Sequence, residues 1–168
     1  MQCDKLLTIS HKDFQNFLIN THTFNLQQEQ NNHITTQQAP KAVGLYPHAR
    51  KVGNLLFLSG IGPRDPNDST TIPGTQFDKW GNFTHFDFEA QCHSVFQNVR
   101  SVLEASGSKW ENLVDVTVFL VNMQRDFHTF NRLYAQYFAD NQPCRTTVEV
   151  NCLPTPIAIE LKCIAIVD

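Results

Sequence analysis

An α/β domain is predicted for most of this chain, on three observations. Two stretches carry apolar residues at three- and four-residue steps, the period of a helix buried along one side. Residues 55–61, 115–121 and 157–167 are apolar runs too continuous for half-buried strands, and they read as strands covered on both faces. Their order along the chain is strands, helix, strand, helix, strand, strand. Two helices cover only one face of such a sheet. Something else must bury the other, and a homo-oligomer is the simplest candidate.

The elements follow from the N-terminus. Residues 1–38 stand apart as a polar extension: NLQQEQNNHITTQQ is a Gln/Asn tract with little apolar surface to bury. Before it, HKDFQNFLIN has Phe14, Phe17 and Leu18 spaced for one side of a short helical turn, or it is a loosely ordered tail. The compact domain is expected over 39–168. LLFLSGI is a buried strand stopped by Gly60 and Gly62, and residues 63–74 form a Pro/Asp/Ser-rich loop. Trp80-Gly81-Asn82 reads as a turn. Asp87 is placed to cap a long helix whose inner face is Phe88, Cys92, Val95, Phe96, Val99, Val102 and Leu103, and Gly107 ends it. After the strand DVTVFLV, residues 125–139 form a second amphipathic helix with Phe127, Phe130, Tyr134, Tyr137 and Phe138 inward. RTTVEVNC and IAIELKCIAIV are the last strands, and the prolines of LPTP keep the link between them out of any sheet interior.

Composition removes several function classes. The net charge is −3 and no Lys/Arg run occurs, which argues against a nucleic-acid binder. No apolar stretch approaches the roughly 20 residues of a membrane span. KLLTIS is too short for a signal-peptide core, and the early acids with a first arginine at Arg50 do not suit a transit peptide. Five cysteines without CxxC spacing read as reduced thiols of a cytosolic protein. The histidines show no metal-ligand spacing, His93 and His128 read as surface side chains, and no P-loop or GxGxxG is present.

Two residues stand out. Glu160 lies inside the least polar strand, where a buried carboxylate costs several kcal/mol unless partnered. It is either an edge position sharing solvent with Lys162, two residues on and on the same face, or a functional carboxylate; both readings are open. Arg145 is either a strand-end surface charge or a bidentate fork for a carboxylate, and it shares a face with Thr147.

GLYPHARKVGNLLFLSGIGPRDP, RDFHTFNRLYAQYF and CRTTVEVNCLPTPIAIELKCIA resemble the RidA (YjgF/UK-type) family of imine and enamine deaminases, from about residue 39 to 167. S-G-x-x-P, N-x-x-Y-x-x-x-F, R-x-x-V-E-V and the late I-E carry the resemblance. YPHAR, SGIGPR and RTTVEV…LPTPIAIELKCIA are most similar to its 2-aminomuconate deaminase branch. The resemblance implies a chorismate-mutase-like α/β fold with a mixed six-stranded sheet and two helices on one face. It also implies a homotrimeric barrel with active sites between subunits, and an imine substrate that is already electrophilic and so needs no metal or organic cofactor. The last strand would sit centrally, away from its predecessor.

Site roles follow by the same resemblance. Arg145 would grip the substrate carboxylate and Glu160 would position the attacking water. Tyr46, Ser59, Gly60 and Asn131 would line the cleft. Where many members have cysteine, this chain has Thr147, so no thiol role carries over. The implied reaction is 2-aminomuconate to 4-oxalocrotonate and ammonia, as in tryptophan or aminophenol-type catabolism. The alternatives are general clearance of 2-imino acids, a translation-inhibiting ribonuclease or a metabolite-binding trimer. A dicarboxylate needs a second anchor, for which His48, Arg50 and Arg64 are the candidates.

Overall fold

The computed structural model of this 168-residue chain describes Ser10, Lys12, Asp13, Gln15, Asn16 and residues 32–167. The chain divides into two compact units, Met1–Asn32 and His33–Asp168. In the first, Lys12, Asp13, Gln15 and Asn16 have helical backbone. Ser10 Oγ accepts from the Asp13 N–H at 3.2 Å and donates to its carboxylate, which caps this turn. Phe14, Phe17 and Leu18, which the sequence places along one side of it, lie outside the described residues.

The second unit is built on a six-stranded mixed sheet in the order β1-β2-β3-β8-β6-β7. Its strands are β1 (His33–Ile34), β2 (Ala49–Val52), β3 (Leu55–Leu58), β6 (Leu113–Leu120), β7 (Cys144–Glu149) and β8 (Ile159–Ile166). The sheet thus begins at His33, upstream of the boundary expected at residue 39. β2 and β3 form a hairpin in which Val52 faces Leu55, and Gly53 makes the turn with φ 61°. β8 pairs antiparallel with both β3 and β6, so the last strand is central. β7 runs parallel to β6, which the intervening helix makes possible. The last two strands are therefore not a hairpin.

Helices α1 (Phe88–Ala105) and α2 (Met123–Tyr137) pack on one face. The Asp87 carboxylate accepts from the Ala90 N–H at 3.1 Å to start α1, and Gly107, with φ 75°, follows its end. Asn122 caps α2 through the Arg125 N–H at 2.9 Å, so this helix starts two residues before the expected Arg125. Val95, Phe96, Val99, Val102, Leu103, Phe130 and Leu133 meet Leu56, Leu58, Val116, Val118, Leu120, Ile159, Leu161, Cys163 and Ala165. Phe127, expected inward, is 37% exposed.

β4 (Thr75–Phe77) and β5 (Phe83–Phe86) make a separate hairpin. Its turn, foreseen at Trp80–Asn82, is closed on Asp78, whose carboxylate accepts from the Trp80 and Asn82 N–H groups.

The sheet face away from the helices is apolar yet open. Leu55, Phe57 and Ile166 on it are each more than a third exposed, and Phe119 and Ile164 are partly so. These are the residues that made the strands read as apolar on both faces. Among the described residues no helix is long and apolar enough to cross a membrane.

Candidate active site

A cleft of about 550 Å³ opens on that uncovered face, where the chain leaves β3 and runs beside β8. Past Leu58, Ile61 exchanges both backbone hydrogen bonds with Leu161, at 2.8 and 2.9 Å. This brings Gly60 against the Glu160 side chain. A Cβ on residue 60 would lie 2.8 Å from Glu160 Cδ and closer still to an oxygen, so a larger residue there would push the carboxylate out of this position. Glu160 is half-buried and accepts no hydrogen bond from any described residue. Burial pushes its carboxyl above the ordinary value of 4.5, and the Arg64 guanidinium partly opposes the shift. The carboxylate in an apolar strand is thus half-buried and faces a cleft from a central strand, not from an edge.

Around it the candidates divide. Tyr46, Ser59, Gly60, Arg50 and Arg64 all line the cleft. Ser59 Oγ donates to the Pro47 carbonyl at 2.7 Å, which leaves it free only to accept from a ligand. Arg64 donates to the Lys41 carbonyl at 2.6 Å and the Ser69 carbonyl at 3.3 Å. His48 does not belong here. It is buried, Nδ1 accepts from the Thr36 N–H at 3.1 Å, and Nε2 is 2.9 Å from the Pro40 carbonyl as its donor. Both ring nitrogens are used in holding the 36–40 segment to β2, so the ring has none left for a substrate carboxylate.

Arg145 and Asn131 form a second locus. Arg145 Nη1 donates to Asn131 Oδ1 at 2.8 Å, and the guanidinium lies 4.7 Å from the Tyr134 ring centroid. Beside it, Tyr134 Oη and Thr147 Oγ1 are buried with no hydrogen-bond partner among the described residues. Burial raises the Tyr134 phenol to about 12, with Arg145 opposing.

The two loci do not meet in one chain. Arg145 is in register with Val116 of β6, and Glu160 with Phe119. Side chains alternate along a strand, so positions three apart point to opposite faces. Glu160 is on the open face and Arg145 on the helix face, with β6 between their strands.

Comparison with known proteins supplies the context. The family described as endoribonuclease L-PSP matches residues 36–167. A RutC family protein of Pyrococcus horikoshii is 37% identical over 132 residues, 79% of this chain and 94% of its own length. This chain belongs to the RidA/YjgF/L-PSP (RutC) family. An Arabidopsis thaliana member, chloroplastic Reactive Intermediate Deaminase A, is 37% identical over 79% of this chain and 64% of its own. RidA from an Antarctic Psychrobacter superposes with a TM-score of 0.69 at 30% identity, covering 80% of this chain and 98% of that one. Escherichia coli TdcF, solved with bound serine, gives 0.68 at 30% identity, covering 81% and 98%. The RidA fold expected from the sequence is therefore the fold of the chain.

Lys162, Phe57 and Thr155 also line the cleft and were not among the sequence candidates. For Lys162 the signal was present in its period-two spacing from Glu160. Phe57 read only as core, and Thr155 lies in a loop whose path no periodicity reveals.

Proposed function

We propose that this RidA-family chain is a cofactor-independent deaminase of 2-imino and enamine acids, with 2-aminomuconate as its substrate and 4-oxalocrotonate as product. The observation that carries the reading is Glu160: a half-buried carboxylate with no hydrogen-bond donor among the described residues, set against Gly60 in a cleft lined with cations. After tautomerisation to the imine, water adds through oxygen to C2 while the C=N electron pair moves to nitrogen. Glu160 takes one water proton and passes it to nitrogen, which gives the carbinolamine; the remaining O–H proton goes to nitrogen as C=O forms and the C–N bond breaks, releasing ammonia and the 2-oxo acid. Arg145, aligned by Asn131, holds the carboxylate beside C2. The name of the Arabidopsis relative and the serine bound in TdcF both favour a small amino-acid-like ligand.

The acting form in this reading is a cytoplasmic homotrimer with each site between subunits, Glu160 coming from one chain and Arg145 from the next. The open apolar face and the separation of the two loci support it. Light scattering at micromolar concentration is expected to give a trimer mass, and Ile166→Lys, on the open face outside the cleft, to give monomers; a monomeric wild type contradicts the assembly.

Clearance of small monocarboxylic imines is the broader reading, and rates on 2-iminobutanoate separate the two. RNA cleavage, the activity in the family description, is disfavoured by a net charge of −3. The test is ammonia release from 2-aminomuconate generated in situ, compared with Arg145→Ala and Glu160→Gln. Equal rates in all three overturn the proposal.

A further inference from the structure

We propose that Arg50 and Lys162 anchor a second carboxylate, so that this cleft takes dicarboxylic imino acids in preference to monocarboxylic ones. This rests on the deaminase reading of the same site, yet it can fail separately. Three cationic side chains, Arg50, Arg64 and Lys162, line the cleft against one carboxylate, Glu160. A concave site with such an excess concentrates anions. One carboxylate held by Arg145 leaves that surplus unexplained.

The three cations are not equivalent. Arg64 is committed: two backbone carbonyls fix its guanidinium, and its charge acts on Glu160. The side chains of Arg50 and Lys162 have no hydrogen bond or ion pair with any described residue. Both stand on the open face. Arg50 faces Phe57 across β2–β3, Phe57 faces Ile164 across β3–β8, and Lys162 is one two-residue step from Ile164. Their backbones are separated by two strand intervals, roughly 10 Å, and one step of about 7 Å, a gap two long side chains can converge across. Phe57, which also lines the cleft, lies between them as an apolar floor. Lys162 is likewise about 7 Å along β8 from Glu160. That spacing suits a reacting carbon at Glu160 and a distal carboxylate at the far end of a five- or six-carbon chain. Of the other two anchor candidates, His48 has both ring nitrogens taken by the backbone, and Arg64 is fixed by two carbonyls with its charge acting on Glu160, at the reacting end of the cleft.

The test has a binding arm and a catalytic arm. Calorimetry compares 2-oxoglutarate with 2-oxobutanoate on the wild-type assembly, Lys162→Gln, Arg50→Gln and Lys162→Arg. Hydrolysis compares 2-iminoglutarate with 2-iminobutanoate, each generated in situ by an amino-acid oxidase. Wild type is expected to prefer the dicarboxylate, and each Gln variant to lose about tenfold on it alone, with Lys162→Arg restoring the preference. No preference in the wild type, or equal losses on both ligands, overturns the anchor. If no imine is hydrolysed, the deaminase reading fails, and the binding arm still decides the anchor.

Discussion

Glu160 and Arg145 are held in opposite ways. Glu160 is placed by backbone: a central strand, paired on both sides, sets its Cα, and a neighbouring glycine clears space for its oxygens. Arg145 is placed by side chains, on an edge strand, through an amide oxygen and an aromatic ring of α2. The difference suits the proposed roles. A base must keep one distance to a reacting carbon, whereas a carboxylate fork must fit a ligand that enters and leaves. It also teaches that one chain carries both loci on opposite faces of its sheet, where they do not meet.

The comparison breaks most sharply on chemistry. Glu160→Gln is expected to lower kcat by about 10²–10⁴-fold with KM little changed. Arg145→Ala is expected to act chiefly on KM, and Arg145→Lys not to restore it, because an ammonium lacks the planar fork. Steady-state kinetics on one imine check this; equal kcat losses in both variants would erase the division of labour. Gly60→Ala comes next. Its methyl displaces the Glu160 carboxylate, and misplacement of about 1 Å is expected to cost about 10²-fold in kcat. An unchanged rate would show that the backbone does not hold the base.

The smallest effect is on pH. Burial raises the Glu160 carboxyl above 4.5 and Arg64 lowers it, so the acid limb of kcat/KM is expected above 4.5 and to move higher in Arg64→Gln. The sign for stability is the reverse of that of a salt-bridged carboxylate. A raised folded value contributes stability that is full below the unfolded value and lost as pH rises through the folded one. Glu160→Gln is expected to remove that loss in urea melts taken across this range.

The sequence carried the parts of the fold that depend on burial. The nearly continuous apolar run of β8 agreed with the central place that the family resemblance implied, and the one-sided periodicity of α1 announced its packing face. β1, β2 and the β4–β5 hairpin went unread because they are short and mostly exposed, so their residues are not constrained to alternate. In the site, Glu160 was legible as a charge out of place. His48 misled for the converse reason: its partners, Thr36 and Pro40, lie in an irregular segment whose route is set by tertiary contacts. Whether a histidine is buried and bonded or open to a ligand is not encoded in its neighbours along the chain.

The central claim is that one site needs Glu160 from one chain and Arg145 from another. Co-assembly of Glu160→Gln with Arg145→Ala chains tests it directly. Each variant alone is expected to be nearly inactive. Random mixing in a cyclic trimer should return about a quarter of wild-type activity, carried by interfaces where an intact Glu160 meets an intact Arg145. Mixed trimers no more active than the separate variants would contradict the account.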